Sequence, residues 1–93
     1  MSLAHTLVNE RLAACVNVLA DCTSVYRWQG KSEAAGEVPV LIKTLERHYP
    51  RLEQLIKSIH PYELPEIIAV PISNGLPSYL KWIENETPDS DDK

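Results

Sequence analysis

Cys-Val-Asn-Val-Leu-Ala-Asp-Cys-Thr-Ser-Val-Tyr-Arg-Trp-Gln-Gly, residues 15–30, contains two β-forming runs around a break. Cys15 to Leu19 and Thr23 to Gln29 are rich in β-branched and aromatic residues, which suit a pleated, half-buried surface. Ala20-Asp21-Cys22 between them reads as a kink or bulge, with the same strand resuming after it. Gly30 to Gly36 is polar with a glycine at each end, the composition of a hairpin loop. Glu37 to Leu45 then reads as the return strand, with Val38, Val40 and Ile42 on one face. Pro39 lies inside that strand. It has no N–H to give a ladder, so it belongs at an unpaired or bulged position.

Helical patterns flank this ribbon. Leu7, Val8, Arg11 and Leu12 stand at helical spacing and predict a helix over residues 3–13. Pro50 opens a second helix in the favoured first turn. Leu52, Leu55, Ile56 and Ile59 form its buried stripe, and His60-Pro61 ends it, because the residue before proline avoids helical geometry. Glu66 to Ile72 is almost continuously apolar and predicts a strand covered on both faces. Asn74-Gly75 is a turn. Pro77 opens a last helix striped by Leu76, Tyr79, Leu80 and Ile83.

The order is therefore α, kinked β, β, α, β, α. Such an order predicts an α+β domain with its helices on one face of an antiparallel sheet, followed by a C-terminal helix. One more strand before the first helix would complete βαββαβ, the ferredoxin-like motif. That leading strand is absent from this sequence, and its absence predicts unpaired backbone in the middle of the sheet.

Size and charge narrow the functional classes. A chain of 93 residues is one domain, read here as residues 1–87 with an acidic flexible tail at 88–93. So short a chain buries roughly 60–65% of its unfolded surface and usually needs disulfides, a metal or partner subunits. The net charge is −4. Five acids fall from Glu84 onward, which leaves eight acids and eight bases up to Ile83. No basic patch exists to bind nucleic acid, and no run approaches the roughly 20 apolar residues of a membrane span. Two cysteines, Cys15 and Cys22, are too few for a disulfide scaffold and point to a reducing cytoplasm.

Five blocks resemble the CutA divalent-cation tolerance family, in the family's order. They are Leu7 to Asn17 (LVNERLAACVN), Thr23 to Lys31 (TSVYRWQGK), Leu41 to Thr44 (LIKT), His60 to Ile68 (HPYELPEII) and Tyr79 to Ile83 (YLKWI). The resemblance implies a homotrimer of ferredoxin-like subunits, shaped like PII signalling proteins and linked to tolerance of divalent metals, copper especially. It implies no settled enzymatic activity and no organic cofactor. Some relatives carry two adjacent histidines before the Pro-Tyr pair. Here the pair is Ile59-His60, which removes one histidine from a two-histidine copper site.

Several residues carry candidate chemistry. The Cys15 thiolate is a soft donor suited to copper, although free cysteine is also a common buried hydrophobe. His60 offers an imidazole to copper or another divalent metal, or caps the last carbonyls of its helix. Pro61 and Pro65 stiffen the loop that holds Tyr62, Glu63 and Glu66. Tyr26, Trp28 and Lys43 come from the strands and Trp82 from the last helix. They are read as lining a cleft between subunits, where tryptophan and tyrosine are favoured. His5 and His48 fit no ligand spacing and read as surface residues. No nucleophile–base set can be assembled, and the three glycines form no phosphate loop.

Three functions follow. The first is a trimeric divalent-cation tolerance protein that binds copper or another divalent metal. The second is a PII-like regulatory module that takes a small anionic ligand between subunits near Lys43 and Glu66. The third is a structural assembly protein with no ligand.

Overall fold

The computed structural model describes residues 2–60 and 63–89. Its elements are α1 (Ser2–Asn9), β1 (Cys15–Val18), β2 (Cys22–Trp28), β3 (Lys31–Glu37), β4 (Val40–Lys43), a 3-10 turn (Glu46–His48), α2 (Tyr49–Ile59) and α3 (Pro77–Glu86).

The predicted first helix ends early. Arg11 turns left-handed at φ 60°, and its N–H donates to the Val8 carbonyl at 3.1 Å while that of Leu12 reaches Leu7 at 3.0 Å. This is the Schellman closure, with arginine where glycine is usual. Leu12 is thereby folded back onto Leu7, and both are buried in the core.

β1 pairs antiparallel with β4, from Cys15 opposite Lys43 to Val18 opposite Val40. β2 pairs antiparallel with β3, from Cys22 opposite Glu37 to Trp28 opposite Lys31. Between the two ladders Leu19, Ala20 and Asp21 face Val38 and Pro39, so the outgoing strand carries one extra residue. That is a bulge, bridged by a hydrogen bond from the Leu19 N–H to the Pro39 carbonyl at 3.0 Å. Pro39 thus occupies a position where no ladder donor is needed, as the sequence required.

The loop expected over 30–36 is instead strand β3. Gln29 and Gly30 both have positive φ, 52° and 81°. This is the two-residue hairpin turn whose twist matches its strands, so pairing begins at once at Trp28 and Lys31. The expected return strand is accordingly divided into β3 and β4.

Leu7, Leu12, Ala13, Leu52 and Ile56 form the core, and Val16, Ile42, Leu55 and Ile67 pack against it. Val16 and Ile42 are register partners, so the face of β1 and β4 that carries them meets α1 and α2. The opposite face carries Cys15, Asn17, Leu41 and Lys43 and has no helix among the described elements on it. The helices therefore lie on one side, as the α+β reading expected.

His48, read from sequence as a surface residue, is buried. Its Nε2 meets the Thr87 carbonyl at 2.5 Å, and the Thr87 hydroxyl donates to the Ile83 carbonyl at 2.8 Å. Arg47 adds an ion pair to Asp89 at 2.9 Å. Together these tie the end of α3 to the start of α2. His5 is exposed, as expected.

The largest departure concerns residues 66–72. They are not a strand: no ladder joins them to another described segment. Burial still alternates with a period of two. Ile67 and Ala69 are half-buried, whereas Glu66, Ile68 and Val70 are exposed. The run keeps the side-chain pattern of a strand and lacks its hydrogen bonds.

Candidate functional site

The helix-free face of the sheet gathers most of the chemistry. Cys15 and Asn17 are two residues apart on β1 and share a face, and Lys43 lies opposite Cys15 on β4. The Asn17 side-chain oxygen accepts from the Lys43 ammonium and from the Cys15 thiol at 3.7 Å. One amide therefore fixes a thiol and a cation together. Asn17 escaped the reading of individual site residues, although its spacing from Cys15 was the available signal.

Leu41 is exposed on this face, directly opposite Asn17. Ile68 and Val70 present their side chains 76% and 80% exposed. By its alternation with Ile67, which packs on the helices, the side of the 66–72 run carrying Glu66, Ile68 and Val70 belongs to the same helix-free face. Large apolar side chains left in water at this density mark a surface awaiting cover.

The other candidates lie elsewhere. His60 is the half-buried cap residue of α2, in extended geometry with its N–H bonded to the Ile56 carbonyl. Glu63 and Glu66 are exposed, and Tyr62 lies outside the described residues. Tyr26 faces Glu33, and Trp28 faces Lys31 at the tip of the ribbon. Lys43 sits at the ribbon's other end, on the order of 40 Å of extended chain away. Trp82 is half-exposed on α3 and tilts against Tyr79, with ring centroids 5.5 Å apart. A single chain does not close these residues into one cleft. An open depression of about 260 Å³ lies apart from most of them, between Val8, Arg11, Ala14 and Glu86.

Tyr49 is a second residue that sequence reasoning missed. Its hydroxyl donates to Glu53 at 2.8 Å and reaches the Ile67 carbonyl at 3.2 Å. The bond to Glu53, then desolvation and the Glu53 charge, raise the tyrosine's pKa above its ordinary 10.0. This hydroxyl tethers the unpaired run to α2.

For a metal, the donor types fit and the donor number does not. A thiol and an imidazole suit copper. Among the described residues, however, no three His, Cys, Asp or Glu side chains converge to hold an ion. No described helix is long and apolar enough to cross a membrane.

Helices on one side of an antiparallel ribbon, with polar and apolar site residues spread over the bare side, define a ferredoxin-like α+β module with an open binding face. The model of the CutA1 divalent ion tolerance protein family matches residues 1–86. The chain is 45% identical over 86 residues to the divalent-cation tolerance protein CutA of Thermus thermophilus, covering 92% of this chain and 84% of that one. A solved Thermus thermophilus divalent cation tolerance protein superposes with a TM-score of 0.90 over 94% of this chain and 84% of that one, at 45% identity. Protein CutA of the mouse is 45% identical over 85 residues, 91% of this chain and about half, 48%, of the mouse protein. A PII-like protein CutA from Nostoc superposes at a TM-score of 0.85 with 35% identity, over 94% of this chain and 85% of that one. This chain belongs to the CutA1 divalent ion tolerance family.

Proposed function

We propose that this protein acts as a homotrimeric, non-catalytic divalent-cation tolerance module, with its ligand site completed between copies. One observation carries the reading: the helix-free face bears both the fixed Cys15–Asn17–Lys43 group and the bare apolar side chains Leu41, Ile68 and Val70. Covering that face with neighbouring copies buries the apolar part and encloses the polar part. Copper or another divalent metal is then held by donors from more than one chain, Cys15 and His60 among them. The two thiols place this chemistry in a reducing cytoplasm.

Light scattering is expected to give three times the chain mass for the wild type and a smaller mass for Ile68→Glu. A single-chain mass for the wild type overturns the trimer. Calorimetry with copper and zinc salts is expected to show weaker binding for Cys15→Ala and for His60→Ala. Unchanged affinity in both variants removes those ligands.

A second reading rests on the likeness to the PII-like Nostoc protein. Here Lys43, with Glu66 near it across the interface, takes a small anionic ligand. Thermal stabilisation by anionic metabolites but not by metal salts favours it. Stabilisation by neither leaves the trimer itself as the function.

A further inference from the structure

Two runs of backbone in this molecule are left without ladder partners. β4 is bonded on one side only, to β1. The run from Glu66 to Val70 is bonded in a ladder on neither side. Pro71 then ends its row of donors, since proline has no N–H.

The two runs belong to one layer. Ile42 of β4 and Ile67 of the unpaired run pack on the same helical core. Chain order joins β4 to that run through α2, a crossover that places them side by side and parallel. Tyr49, at the start of α2, holds the Ile67 carbonyl at 3.2 Å. The split crossover of the ferredoxin-like class leaves one strand position between such a pair. The Thermus structure shares the fold over 94% of this chain, while this chain accounts for 84% of that one.

The vacancy has a definite chemistry. Along its two edges the charged residues are Lys43 and Glu66, one at an end of each run, and the positions between them are apolar. Its floor is the Leu52 and Ile56 side of the core, and its open side is flanked by Leu41, Ile68 and Val70. A segment lying there is covered on one face by the helices and flanked by apolar side chains on the other. It must therefore be apolar on both faces, uncharged and free of proline.

We propose that this vacancy is a strand-acceptor site. An extended apolar segment of a second polypeptide, about five residues long, enters it antiparallel to both β4 and the 66–70 run. Main-chain bonds on two sides supply the affinity, as in β-strand addition to a sheet edge. Alternate side chains seated on Ile42 and Ile67 supply the selectivity. This is an in-plane site, distinct from the face that copies of the chain are proposed to cover, and it does not depend on any metal.

The probe is the peptide acetyl-Lys-Val-Ile-Val-Ala-Val-Lys-amide. The control is the same peptide N-methylated at every second residue, which removes the donors along one edge. Amide hydrogen exchange of the 93-residue chain is followed by NMR. The expected result is at least a tenfold slowing at alternating amides of both Leu41–Lys43 and Ile67–Val70, with β2 and β3 unchanged. The N-methylated peptide is expected to slow at most one of the two runs. Three results overturn the proposal. One is no slowing at millimolar peptide. Another is equal slowing at the edges of β2 and β3, which marks indiscriminate pairing. The third is strong protection of both runs before any peptide is added, which shows the position is already filled by another copy.

Discussion

Val40–Lys43 and Glu66–Ile72 are both apolar, β-branched runs, and both read as strands from sequence, yet one forms a ladder and the other does not. Each sends a side chain into the same core, Ile42 from the first and Ile67 from the second. They differ in their neighbours. β4 is brought back onto β1 by a continuous ribbon with a two-residue turn, so its partner is supplied locally. The 66–72 run arrives after a helix and meets no strand beside it. Burial pattern is a property of the run itself, whereas a ladder is a property of two runs. A run can therefore hold its place through side-chain packing and one tether while its backbone remains unpaired.

Perturbations of the two regions should separate these contributions. The largest effect is expected from Leu52→Ala, which opens a cavity in the core beneath both runs. It should destabilise the protein by about 2–5 kcal/mol in denaturant unfolding and loosen both regions together. If only the 66–72 amides loosened, the two runs would not share one core.

Gly30→Ala acts on the ribbon alone. Its φ of 81° is strained for any residue with a Cβ, although open space surrounds the position. A loss of about 1–2 kcal/mol is expected, with faster exchange in β2 and β3 and little change at Ile67. A neutral result would mean that the turn does not set the register.

Tyr49→Phe acts on the unpaired run alone. Losing the bond to the Ile67 carbonyl should weaken the structure by about 1 kcal/mol. Exchange should quicken around Ile67–Val70 and not at Leu41–Lys43. Equal quickening at both would contradict the comparison.

The smallest effect is a pH dependence of the same tether. The pKa of Tyr49 is raised in the fold, so the bond is made by the protonated hydroxyl. Its contribution is complete below the ordinary tyrosine value of 10.0 and is lost as pH rises through the higher folded value. Exchange at Ile67, corrected for intrinsic base catalysis, should rise in that alkaline window in the wild type and be flat in Tyr49→Phe.

Much of this was legible in the residues. The stripes Leu52, Leu55, Ile56, Ile59 and Leu76, Tyr79, Leu80, Ile83 marked α2 and α3, and Pro50 and Pro77 fall in their first turns. Pro39 identified the interruption of the ribbon. The early end of α1 was not legible, because Arg11 takes a left-handed position that sequence signals assign to glycine. The hairpin turn was misplaced for a similar reason: Gln29 shares the positive φ with Gly30, and a polar strand β3 resembles a loop in composition. The buried His48 depends on Thr87, 39 residues away, and no local pattern reports such a contact. In the candidate site, Cys15 and Lys43 were legible as chemistry. Their joint hold on Asn17 required the β1–β4 register.

Sequence by itself determined the α+β class, the helical stripes, the family blocks and the donor types. These follow from local periodicity and composition, which each segment carries wherever it lies. Tertiary structure decided which strands found partners, which face stayed bare, and that Trp28 and Lys43 lie at opposite ends of one ribbon. Those are pairwise facts, because a hydrogen-bonded ladder or an enclosed site exists only when two distant segments are brought to the same place.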